Sequence, residues 1–158
     1  MNPQERFWAK VDKSGPLASD ALGQCWNWTA SCRPNRGGPR GQFFVNGRNR
    51  YAYRVSYEWC VGPIKDGQVI DHKCHNGLCV NPSHLRAVEG QKQNLQNRRG
   101  ANRNSKSGHR GVYYLKREGL WCASVNAGQQ RLRRYFPSME EAVCAAESMR
   151  DEHFTHHR

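Results

Sequence analysis

Cys74, Cys79 and His84 follow one another at five-residue intervals, with Asp71-His72 just before them and Gln93, Asn94 and Asn97 shortly after. Thiolates and an imidazole at such short spacing form the ligand set of a structural zinc, and a chain segment tied to one ion folds together with it. The other polar groups are of a different kind. Carboxylate and amide oxygens suit a hard cation of the Mg²⁺ type, and a histidine beside them has the chemistry of a general base. Around these residues Val69 to His72 reads as a short strand that carries His72 at its exposed tip. Gly77, Asn81 and Pro82 make Lys73 to Pro82 a loop. Leu85 to Val88 resumes an extended apolar run, and Glu89 to Asn97 has the composition of a helix whose clearest apolar position is Leu95. The expected order is strand, zinc-stapled loop, strand, helix.

Composition narrows the partners. The 158 residues carry a formal charge of +12, which is out of place in an enzyme of small acidic metabolites and suits a polyanion, nucleic acid first. A membrane is excluded as partner, because no apolar run spans a bilayer and no strongly amphipathic basic helix is present. The first residues, MNPQERFWAKVDK, lack the apolar stretch of a signal peptide, so a cytoplasmic, intracellular protein is expected. Seven cysteines, an odd number, favour metal ligation and free thiols over a disulfide framework. With only 37% hydrophobic residues, the core is thin and needs a staple.

Upstream, residues 5–11 form a short helix with Phe7, Trp8 and Val11 on one side, Asp12 to Gly23 is a surface loop, and Cys25 to Trp28 is an aromatic strand. Ser31 to Arg40, rich in Gly, Pro and Arg, cannot pack a core but can follow a phosphate backbone. Asn46-Gly47 is a two-residue hairpin turn between Gly41–Val45 and Arg48–Tyr53. A basic ribbon of that size, with Arg48 and Arg54 as contacts, can enter a major groove. Tyr51 to Cys60 reads as a helix with Ala52, Val55 and Trp59 inward.

Downstream, residues 98–108 contain no large apolar side chain and read as a basic linker that lays Arg98, Arg99, Arg103 and Lys106 along phosphates. From His109 the pattern restarts: strands at Arg110–Tyr114, Leu120–Val125 and Arg131–Phe136 precede a Ser138-x-x-Glu141 capping box. That box opens a helix with Ala142, Val143, Ala146 and Met149 toward the sheet. Alternation puts Arg131 and Arg133 on one face with Leu132 on the other. Cys122 and Cys144 read as small buried apolar residues. The fold class is α+β: a zinc-stapled ββα domain over residues 1–97, the linker at 98–108, and a three-stranded antiparallel sheet packed on one helix over 109–158.

The order Asp71-His72, Cys74-His75-Asn76, Cys79, Asn81-Pro82-Ser83-His84-Leu85 and the following amide helix resembles the HNH, or ββα-metal, nucleases. It comes nearest the zinc-containing branch with the His-Cys box homing endonucleases and small phage enzymes. The resemblance implies that His72 deprotonates the attacking water and that Asp71 and Asn94 hold one catalytic Mg²⁺ or Mn²⁺ against the scissile phosphate. Gln93 and Asn97 stand as alternatives to Asn94, because the spacing from His72 to Asn94 is one residue longer than the family's pattern. It further implies zinc on Cys74, Cys79, His84 and an upstream cysteine, with Cys25 preferred and Cys32 and Cys60 as competitors. Arg50, or else Arg54, supplies charge to the phosphate, and a histidine of many phage relatives is replaced here by Tyr53.

The segment RGVYY, LWCASV, RRYF, SMEEAVCAAE is similar to the ethylene-response-factor (APETALA-like) DNA-binding domain. In that family the sheet lies in the major groove, which makes Arg110, Tyr113, Trp121, Ser124, Asn126, Arg131 and Arg133 candidates for the DNA face. Together the two resemblances imply a phage- or intron-type homing endonuclease that hydrolyses phosphodiester bonds in double-stranded DNA, as a monomer or homodimer. A non-catalytic zinc-containing DNA-binding regulator and an RNA-directed nuclease are the competing readings.

Overall fold

The computed structural model describes residues 1–98 and 100–155. They form two compact units, Met1–Asn94 and Leu95 onward, with small antiparallel sheets and short helices in each. The class is α+β, as expected.

The first unit opens with helix α1 (Pro3–Trp8), whose start is fixed by a reciprocal capping box between Asn2 and Glu5. The stretch expected to be plain loop holds three short strands, β1 (Val11–Asp12), β2 (Leu17–Ser19) and β3 (Gly23–Gln24). β1 pairs with β4 (Asn27–Trp28), and β2 pairs with β3. Two- and three-residue strands carry too little alternation to be visible in a sequence. Strands β5 (Cys32–Arg33), β6 (Arg40–Val45) and β7 (Arg48–Tyr51) make a three-stranded sheet, with the Asn46-Gly47 turn joining β6 to β7. Helix α2 (Ala52–Cys60) follows directly.

The core of this unit is Phe7, Trp28, Phe43, Val45, Ala52, Val55 and Val80. Phe7 is fully buried and meets Trp8, Trp28, Phe43 and Trp59 at centroid distances of 4.9 to 5.4 Å. Truncating such a ring costs about 3–5 kcal/mol. Gly41 lies against the Trp28 indole, where a Cβ would collide with ring carbons, so only glycine lets β6 pass.

Strands β8 (Gln68–His72) and β9 (Leu85–Glu89) form an antiparallel pair joined by the cysteine loop and a 3-10 turn, Pro82–His84. Helix α3 (Gly90–Gln96) comes next. This is the expected ββα order. The pairing sets Asp71 opposite Arg86 and His72 opposite Leu85.

In the second unit β10 (Val112–Leu115), β11 (Leu120–Ala127) and β12 (Gln130–Phe136) form a meander backed by α4 (Met139–His153). The Ser138/Glu141 capping box is present, and Val112, Ala123, Val125, Ala142, Ala146 and Met149 make the core. Arg110 gives its guanidinium to the carbonyls of Leu95, Gln96 and Arg98. Cys122 is buried as expected, whereas Cys144 is exposed because its position on α4 falls outside the inward stripe. Among the described residues no helix is long and apolar enough to cross a membrane.

Candidate active site and metal centre

Cys25, Cys74, Cys79 and His84 converge, with all four ligand atoms within 4.8 Å of one another. Backbone pairing delivers the distant member. Trp28 N–H donates to Leu78 at 2.9 Å and Val80 N–H to Trp26 at 2.8 Å, so the segment after Cys25 runs beside the cysteine loop. Asn76 ties the two together by donating to the Asn27 side chain at 2.7 Å. Asn81 caps the 3-10 turn, and Pro82 fits its first position, where no N–H is needed. Cys32 and Cys60 are exposed and stand outside the cluster.

The donors fit zinc. Cys25 Sγ and Cys79 Sγ lie 3.7 and 3.5 Å from His84 Nδ1, and a tetrahedron with Zn–S of about 2.3 Å and Zn–N of about 2.0 Å has an S···N edge of roughly 3.5 Å. His84 Nε2 is 2.7 Å from the carbonyl of Leu22. A carbonyl only accepts, so the proton sits on Nε2 and the Nδ1 lone pair faces the sulfurs. The neighbouring Cys74 holds the Cys79 thiol below its ordinary range, while that same contact, then burial, pushes Cys74 up. Burial raises Cys25.

His72 is 8% exposed, so the expected exposed tip is a buried position instead. The cysteine loop folds back over it, and Tyr53 covers it edge-on. Its Nε2 lies 3.1 Å from the carbonyl of Cys79, which places the proton on Nε2 and the lone pair on Nδ1. Burial first, and the charge of Arg40 second, lower its pKa to about 4, so the ring is neutral at physiological pH. Arg40 reaches this region across Gly77, where a Cβ would overlap the guanidinium. Arg40, expected only as part of a loop along phosphates, stands instead at the start of β6 beside the cysteine loop, a placement that depends on tertiary contact.

Asp71 is 6% exposed. Nε and Nη2 of Arg86 both reach its Oδ2 at 2.9 Å. Asn94 is half-buried on α3, as is Gln93, whose side chain accepts from Glu89 N–H at 2.6 Å; Asn97, in the second unit, is buried. Carboxylate and amide oxygens are what a hard divalent cation takes, with Arg86 already on one Asp71 oxygen.

Arg50 forms a 2.6 Å ion pair with Glu58. With Arg33, Arg48 and Arg54 it lines a cleft of 340 Å³ beside β7. Arg33, expected in the phosphate-following loop from Ser31 to Arg40, belongs to strand β5 and lines this cleft.

On the second sheet, register sorts the candidates. Trp121 packs against the core with Ala123 and Val125 on the helix side, so its assignment to the DNA face is corrected. Tyr113, Ser124, Asn126, Arg131 and Arg133 alternate onto the opposite side, where Arg131 Nε donates to Ser124 Oγ at 2.9 Å. Tyr135, 53% exposed, shares that side by the same alternation and was missed. Arg110 is half-buried on backbone carbonyls. Arg98, Arg103 and Lys106 are exposed, and Arg99 lies outside the described residues.

No curated protein and no solved structure matches the chain. Residues 50–95, which run from the end of β7 through α2, β8, the cysteine loop and β9 into α3, match the family described as HNH endonuclease, and this part of the chain is therefore similar to an HNH nuclease domain.

Proposed function

We propose that the chain is a DNA endonuclease of the homing type that uses a divalent cation and carries a structural zinc. The observation that carries this reading is that the HNH endonuclease match, residues 50–95, falls on the segment holding His72, Asp71, Asn94 and three of the four clustered soft ligands. Nδ1 of His72 takes the proton from the attacking water, with Nε2 steadied by the Cys79 carbonyl. Asp71 and Asn94 hold Mg²⁺ or Mn²⁺, which when bound supplies charge to the phosphate and the departing 3′-oxygen. Arg48, Arg50 and Arg54 grip the backbone from their cleft, and the Arg131/Arg133 face of the second sheet anchors the duplex.

Supercoiled plasmid incubated with protein and Mg²⁺, against EDTA and His72→Ala controls, tests the reading. Nicked product with 5′-phosphate and 3′-hydroxyl ends is expected from the native protein alone. Linear product at low enzyme would indicate a dimer cutting both strands. Matched RNA duplex should resist.

Two observations favour a second reading, a zinc-containing regulator that grips DNA without cutting. His72 is buried, and Asp71 already has a cation partner in Arg86. Tight duplex binding with no nicking in Mg²⁺ or Mn²⁺ would decide for it.

A further inference from the structure

Asp71 and Arg86 face each other directly across the β8–β9 pair, the closest lateral relationship two strands offer. Both guanidinium nitrogens that reach the carboxylate converge on the one oxygen Oδ2, at 2.9 Å each, and the side chains are 8% and 19% exposed. A carboxylate taken this far from water needs a compensating charge, and the strand register supplies one in Arg86. A divalent ion at the same carboxylate would face the guanidinium at close range in a low-dielectric setting, where two cations on one anion repel strongly. The first unit thus has a built-in competitor for the ion that the proposed nuclease reaction requires.

We propose that Arg86 is the resident counter-cation of Asp71 and regulates loading of the divalent ion, so that the site takes the ion firmly only when DNA phosphate arrives to offset the added charge. This rests on the nuclease reading given above, in which Asp71 is an ion ligand. Arg86 is then a positioning residue: it aims the carboxylate along the strand pair and keeps the metal affinity of the DNA-free protein low.

The test is Mn²⁺ binding to the full, zinc-loaded chain without DNA, followed through the electron paramagnetic resonance signal of free Mn²⁺. Arg86→Gln should bind Mn²⁺ at least about tenfold more tightly than the native chain, because a unit positive charge has been removed from the carboxylate. Arg86→Lys should stay near the native value, and the gain should vanish in Arg86→Gln combined with Asp71→Asn. Arg86→Met, which keeps the aliphatic stem, carries the same expectation as Arg86→Gln if the glutamine variant does not fold. A role limited to holding the strands together would lower the melting temperature of these variants without tightening Mn²⁺ binding. If Asp71→Asn weakens native binding while neutral replacements of Arg86 leave it unchanged or weaker, the counter-cation role is overturned and the nuclease reading stands. If Asp71→Asn has no effect in any background, Asp71 is not a ligand, and the metal placement of the nuclease reading falls together with the inference.

Discussion

The ring of Tyr53 meets that of His72 edge to face, with centroids 4.8 Å apart and planes inclined at 65°. Tyr51 in turn stacks on Tyr53 at 5.6 Å, so the ring beside the imidazole is itself backed by an aromatic from the junction of β7 and α2. Replacing Tyr53 with Phe keeps the ring and should leave plasmid nicking within about threefold of native. Tyr53→Ala frees the imidazole and should lower kcat by about 10² with little change in DNA affinity, since a base must be held in geometry to act. Single-turnover nicking alongside duplex binding separates the two effects.

Because burial and Arg40 hold the His72 pKa near 4, the base is neutral throughout the physiological range. Nicking should show no inflection near pH 6.5 and should stay flat between about pH 6 and 8, with its acid limb displaced downward. The same shift bears on stability. The unfolded chain protonates this histidine near its ordinary value and the folded chain only near 4, so stability present above about pH 6.5 is lost as the pH falls toward 4. The loss is about 3 kcal/mol at most. His72→Gln should melt with a shallower dependence on acid over that window.

Zinc removal should be felt as loss of fold in the first unit. A strong chelator, or Cys79→Ser, should lower the melting temperature and the near-ultraviolet signal of the tryptophans near Cys25, at a cost of several kcal/mol. Withholding Mg²⁺ should stop nicking with no such loss. Equal melting curves with and without the chelator would remove zinc from the account.

On the second sheet, Arg131→Ala and Arg133→Ala should each reduce duplex affinity and shorten the salt slope by about 1, as expected for a phosphate contact. Trp121→Ala should act otherwise. It packs on the helix side, so it should cost about 3 kcal/mol in stability and leave the salt slope alone.

Local spacing made the metal centre legible: Cys74, Cys79 and His84 lie close in sequence, and their ligand chemistry needs no tertiary context. The capping box at Ser138 and the hairpin turn at Asn46-Gly47 were readable for the same reason. What stayed hidden depends on register between distant strands. Asp71 looked like an open ligand because nothing near it in sequence says that Arg86 lands opposite. Trp121 looked like a groove-facing residue because composition does not tell which side of a strand meets the helix. The burial of His72 follows from Tyr53 and the returning loop, neither visible from the Asp-His pair itself.

Cys79 serves two centres at once, its sulfur among the soft ligands and its carbonyl on the imidazole of His72. Oxidising or alkylating that one sulfur would therefore remove a zinc ligand and release the peptide plane that steadies the imidazole in the same event, so thiol damage should cost turnover and melting temperature together.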